Sequence, residues 1–135
     1  MSNCIFCSIV EGRIPAYVIY QDGYYLAIMD RYPSAKGHVL ILPKRHVADI
    51  YGLNQDEAAA LIPLAQKIAA KLQDKLGMDG LNLVQNNGKA AGQEIDHFHL
   101  HLVPRYKNDG VIIKGVPTGQ SPEELEQLAD LLKLQ

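Results

Sequence analysis

Short apolar runs alternate with one long stretch of helical periodicity, and their order predicts the elements of this chain before any chemistry is considered. The segment "AYVIYQDGYYLAIMD" holds two β-rich runs joined around Asp22-Gly23, a strong hairpin signal. "GHVLILPKRH" reads as a third strand, with Gly37 before it and Pro43 limiting its extension. From about Asn54 to Leu76, apolar residues recur at helical spacing between a candidate cap, Asn54, and a glycine stop, Gly77. Pro63 falls inside that stretch and predicts a kink or a break, because an interior proline loses a hydrogen bond at a cost of about 3 kcal/mol. "GLNLVQN" reads as a fourth strand and His97 to Pro104 as a fifth. A short helical turn is expected near Ser8 to Glu11. A C-terminal helix is expected from Ser121 as cap, Pro122 at the first position and acidic residues in the first turn. The sum is an antiparallel α+β domain of about five strands, one principal helix and a short C-terminal helix, with residues 1–135 forming one domain.

Composition sharpens this only slightly. At 135 residues, 47% hydrophobic and 21% charged, the chain suits a self-sufficient globular fold. A net charge of −2 without any Lys/Arg run argues against nucleic acid or an anionic membrane as partner, while a small anionic ligand stays compatible. The amino terminus has no basic region followed by a long apolar core, and no segment approaches 18 apolar residues, so a cytoplasmic location is expected. Cys4 and Cys7, the only cysteines, are too few and too local to staple a secreted fold and suggest metal or redox chemistry.

The candidate chemistry lies in "DHFHLHLVPR", where His97, His99 and His101 occupy every second position. In a strand they share one face, while Phe98, Leu100 and Leu102 share the other. A solvated sheet face would carry such residues without function. Two active alternatives are a three-histidine zinc hydrolase and a neutral imidazole acting as nucleophile while its neighbours bind phosphate. The preceding loop "NNGKAAGQE" offers Gly88 and Gly92, where backbone can approach a ligand closely.

His-Phe-His-Leu-His-Leu-Val matches the H-φ-H-φ-H-φ-φ pattern, φ being apolar, and the chain resembles the histidine-triad (HIT) family of nucleotide hydrolases and transferases. The resemblance extends to "MDRYPSAKGHVLILPKRH" and "NNGKAAGQE", so it spans nearly the whole chain, and it is nearest the small Hint-like members. It implies a HIT-like fold, a homodimer, and His99 as the nucleophile that attacks the α-phosphorus and forms a nucleotidyl-histidine intermediate. By the same resemblance, the His97 carbonyl fixes the His99 tautomer, His101 contacts phosphate oxygens, and backbone amides near Glu94 and Ile95 complete the phosphate cradle. Asp30 corresponds to the ribose-hydroxyl acceptor, Asn86 and Gly92 face the phosphate region, and Ile5, Phe6, Ile9 and Ile28 line the purine pocket. For the three isoleucines, ordinary core packing is the competing reading. His38 is expected to give structural support. Many Hint-like proteins carry Ser or Thr where this chain has Glu94.

Cys4-Ile5-Phe6-Cys7 alone is compatible with a thioredoxin-like site, but such a motif follows a strand, and only Met1, Ser2 and Asn3 precede it. The resemblance implies instead a structural zinc held by Cys4, Cys7, His46 and His97, with no open coordination position. The implied activity is hydrolysis of purine nucleoside phosphoramidates or related nucleotidyl conjugates, releasing nucleoside monophosphate. A dinucleoside polyphosphate hydrolase and a nucleotide-binding interaction module with incidental hydrolysis are the alternatives.

Overall fold

A computed structural model describes residues 3–112 and 115–134 of the chain. Helix α1 (Ile5–Val10) is followed by strands β1 (Val18–Gln21), β2 (Tyr25–Met29) and β3 (Val39–Pro43). Helix α2 (Gln55–Leu76), strands β4 (Gly80–Val84) and β5 (Leu100–Arg105), and helix α3 (Pro122–Leu132) complete the order. The strands form one antiparallel sheet in the order β1-β2-β3-β5-β4. The α+β expectation of about five strands, one long helix and a short C-terminal helix holds.

The β1–β2 turn forms because the Asp22 carboxylate accepts the amides of Tyr24 and Tyr25, each at 2.8 Å, so an aspartate side chain satisfies donors the tight turn would leave open. The sheet's buried face carries Tyr25, Ala27, Val39, Ile41, Leu100 and Leu102, and α2 covers it through Leu61, Leu64, Ala65, Ile68 and Leu72. Alternate residues of the same strands, Leu26, Ile28, Leu40 and Leu42, form a second cluster with Phe6 on the opposite face. Both faces of the central strands are therefore buried, and the site occupies the α1 side.

Three local expectations are corrected. The first helix spans Ile5–Val10 rather than Ser8 to Glu11, because the Cys4 sulfur accepts the Cys7 amide and caps the helix earlier. Of the kink and the break expected at Pro63, the break is excluded: α2 is one continuous helix through that residue. Pro63 and Ala59, whose carbonyl loses its partner, are both exposed, so water satisfies that carbonyl and the helix need not break. Strand β5 begins at Leu100, three residues later than His97, since the chain bends over residues 95–97, the β3 ladder ends at the Ile41–Leu100 pair, and the Phe98 amide donates to the Val47 carbonyl at 2.7 Å instead.

The long helix starts with a capping box between Asn54 and Glu57 and ends on Gly77 in the left-handed conformation. Its far end meets Gly37, where φ is +90° and an added Cβ would lie 2.6 Å from Leu76 Cδ1. Glycine is required at that close approach, which sets how β3 enters the sheet. Among the described residues, no helix is long and apolar enough to cross a membrane.

Candidate active site

The fold gathers the candidate residues by bringing four segments to one side of the sheet: α1, the ends of β1 and β2, the Gly88–Gly92 loop, and the start of β5. A cleft of about 570 Å³ between them is lined by Ile5, Phe6, Ile9, Ile28, Asp30, Asn86, Gly92, Glu94, Ile95, His99 and His101. His97 is absent from that wall. Its ring is fully buried behind the cleft, and only its carbonyl reaches the neighbouring histidine. The three histidines thus split between two tasks: the rings of His99 and His101 face the cleft, while that of His97 lies against Cys4 and His46.

Hydrogen-bond direction assigns the tautomers. His99 Nδ1 lies 2.7 Å from the His97 carbonyl, which can only accept, so Nδ1 carries the proton and Nε2 keeps a free lone pair. The Ser34 amide donates to His38 Nδ1 at 3.0 Å, which puts the His38 proton on Nε2. That nitrogen lies 2.9 Å from His101 Nδ1 and 3.3 Å from Asp30 Oδ2. His101 Nδ1 therefore accepts, and His101 Nε2–H is left as a donor. A backbone amide, one buried histidine and one half-buried histidine form a directed chain that ends in an N–H beside a free imidazole lone pair. His38, expected to give structural support, sits within this chain.

Burial, reinforced by the neighbouring His99 and His38 rings and opposed by Asp30, pushes His101 down to about 4. Burial also lowers His38, again opposed by Asp30. The ordinary histidine value describes the unfolded chain, so below about pH 6.5 the unfolded state binds more protons than the native state. Stability from these groups is then complete above about 6.5 and lost progressively as pH falls toward 4. Urea melts at pH 7 and pH 4.5 should show this loss, and it should shrink in His101→Gln. A wild-type midpoint unchanged over that range would contradict the neutral assignment.

A second constellation lies behind the first. Cys4 Sγ is 3.3 Å from His97 Nδ1, Cys7 Sγ is 3.2 Å from His46 Nδ1, and the two Nδ1 atoms are 3.2 Å apart. All four donor atoms lie within 4.8 Å of one another. His97 Nε2 donates to the Pro43 carbonyl at 2.8 Å, so its Nδ1 lone pair points into the group. Two thiols and two imidazole lone pairs in one cluster fit a tetrahedral N/S metal centre. Asp30, His38 and His101 also lie within 4.8 Å of one another. They fit a metal poorly, because the Ser34 amide occupies the only lone pair that a neutral His38 retains.

Sequence reasoning missed the residues that hold these groups in place. Gln93 is buried: its carbonyl accepts the Gly88 amide at 2.7 Å, and its amide nitrogen donates to the carbonyls of Ala48 and Ile95 at 2.6 and 3.1 Å. It ties the glycine loop to the loop after β3. Arg45 donates through Nε and Nη2 to the buried Glu57 carboxylate at 3.0 and 2.7 Å, and that carboxylate is held below its usual range mainly by this hydrogen bonding. The clamp anchors the chain immediately before His46. Ile14, Tyr17, Arg31 and Tyr32 also line the cleft. No helical or strand periodicity marks them, since they lie in connections.

The HIT domain pattern matches residues 11–108. The chain is 36% identical over 129 residues to the adenosine 5'-monophosphoramidase hnt1 of Schizosaccharomyces pombe, covering 95% of this chain and 94% of that protein. Its fold superposes on a histidine triad nucleotide-binding protein from Candida albicans with a TM-score of 0.86, at 31% identity, covering 96% and 94% of the two chains. A Zn-bound histidine triad family protein from Mycobacterium smegmatis gives a TM-score of 0.77 at 36% identity, covering 96% and 97%. The chain belongs to the HIT family.

Proposed function

We infer that this protein is a nucleotide hydrolase that cleaves purine nucleoside phosphoramidates or related nucleotidyl conjugates at the α-phosphate. The observation that carries the reading is the pairing, on one cleft wall, of a His99 Nε2 lone pair with a His101 N–H donor. The resemblance to an adenosine 5'-monophosphoramidase supports it. In this reading the base packs among Ile5, Phe6, Ile9 and Ile28, and Asp30 accepts from a ribose hydroxyl. Amides near Glu94 and Ile95, with Asn86 and Gly92, receive the phosphate. His99 Nε2 attacks phosphorus, the P–N bond breaks with its electron pair leaving on the amine, and the amine takes a proton from solvent. Water then cleaves the P–N bond to His99, releasing nucleoside monophosphate and restoring the neutral ring. His101 N–H stabilises the charge that builds on the phosphate oxygens.

A structural zinc held by Cys4, Cys7, His46 and His97 belongs to the same reading, supported by the donor set and by the Zn-bound mycobacterial relative. When bound, zinc would cross-link the amino terminus to the loop after β3 and to the start of the catalytic segment. A homodimer is also part of this reading, supported by Ile62 on α2 and Leu83 on the edge strand β4, both about half exposed. A cytoplasmic location belongs to the same reading.

The test is a substrate comparison. Adenosine phosphoramidate should be turned over at least roughly 100-fold more efficiently than a diadenosine polyphosphate, on the scale by which a site lacking partners for a group rejects it. The reverse preference would move the assignment to the polyphosphate class. Tight nucleoside monophosphate binding with no turnover of either would favour a binding module.

A further inference from the structure

The carboxylate of Glu94 stands where a phosphate-handling cleft would ordinarily avoid negative charge, and its surroundings indicate what it meets. Glu94 lines the cleft that holds His99 and His101, and it also lines a neighbouring recess bounded by Asn3, Cys4, His46 and Asp96. Ile5, Glu94 and Ile95 are common to both, so recess and cleft adjoin along that wall. Among the described residues, the recess is lined by two carboxylates and by no lysine or arginine. Among the described residues, neither Glu94 nor Asp96 has a side-chain hydrogen bond or an ion pair. The backbone that carries Glu94 is fixed on both sides: Gln93 is buried and bonded to two segments, and the Ile95 carbonyl accepts from the Gln93 side chain. Among the described residues, the one Lys or Arg on the cleft wall is Arg31, the chain neighbour of Asp30.

We propose that Glu94 is a specificity-determining residue that selects a leaving amine carrying a second positive charge. The inference rests on the phosphoramidase reading and names the class of conjugate that reading leaves open. A polyphosphate leaving group would place further negative charge against Glu94 and Asp96, with no lysine or arginine among the described residues of the recess to offset it. An ammonium-bearing tail of the departing amine gains from both carboxylates as the conjugate binds. The P–N cleavage itself is unchanged: the electron pair leaves on the amine, and the remote ammonium keeps its proton throughout.

The test uses three adenosine phosphoramidates whose leaving amines have equal chain length and end in methyl, ammonium or carboxylate, assayed for kcat/KM with wild type and Glu94→Gln. Wild type should prefer the ammonium over the carboxylate compound by roughly five- to tenfold at low salt, as expected for attraction and repulsion at a solvent-accessible charge. That ratio should fall at least about threefold in Glu94→Gln, and further when Asp96→Asn is added. Comparing ratios between proteins cancels the intrinsic reactivity of the three compounds. An equal ratio in wild type and Glu94→Gln, with all three compounds turned over, overturns this inference and leaves the phosphoramidase reading standing. No turnover of any compound overturns the reading and the inference with it.

Discussion

His99→Ala should abolish turnover of an adenosine phosphoramidate, lowering kcat/KM on the order of 10⁴-fold, because loss of a nucleophile removes the covalent route rather than weakening one contact. Mass spectrometry of wild-type protein quenched during turnover should show one nucleotidyl adduct on His99, absent in the variant. The geometry makes the expectation specific to that ring: the His97 carbonyl at 2.7 Å holds the proton on Nδ1, and the opposite nitrogen is the only free imidazole lone pair on the cleft wall among the described residues. Neither His97 nor His101 can substitute, since one ring is buried away from the cleft and the other is oriented as a donor. A variant that hydrolyses at the wild-type rate would remove His99 from the chemistry.

The second large effect concerns stability. Protein purified without chelator should carry about one zinc per chain, and stripping it should lower the melting temperature by roughly 10 °C or more. A ligand present at about 1,000 times its Kd stabilises the native state by about 4 kcal/mol, and a chain of this size shifts by several degrees per kcal/mol. Cys7→Ser should reproduce much of that loss without added chelator, because Cys7 Sγ faces both His46 and His97. Protein that takes up no zinc on careful reconstitution, with an unchanged melting temperature, would reduce the cluster to two thiols packed against two histidines.

How much of this could be read in the sequence follows from how local each determinant is. Asp22-Gly23 announces its hairpin, and Ser121-Pro122 its helix, because the groups involved lie within a few residues of each other. The cleft residues were found because the family pattern carries long-range placement that periodicity does not: Ile5 and Gly92 look unrelated until the fold brings them to one wall. Determinants that depend on an unmarked partner far along the chain were not legible. Gln93 gives no local sign that its amide will reach Ala48, and Arg45 none that Glu57 will be buried beneath it. The start of β5 is hidden from the sequence for a related reason. Alternation of histidine and apolar residues marks which side each side chain takes, while the departure from the ladder before Leu100 involves the loop after β3, where Val47 receives the Phe98 amide.

The strand order also bears on how the molecule comes together. Strands β1, β2 and β3 are joined by close neighbours in the chain, and β4 pairs with β5 across a modest loop, but β3 meets β5 only by closing about 60 residues that include the whole of α2. His38 immediately precedes β3 and His101 lies on β5, so the hydrogen bond between them spans that seam. Neither half of the sheet contains a usable site alone. A chain arrested before the two halves meet would carry all its histidines and have no assembled relay, which ties completion of the site to the longest-range strand pairing of the sheet.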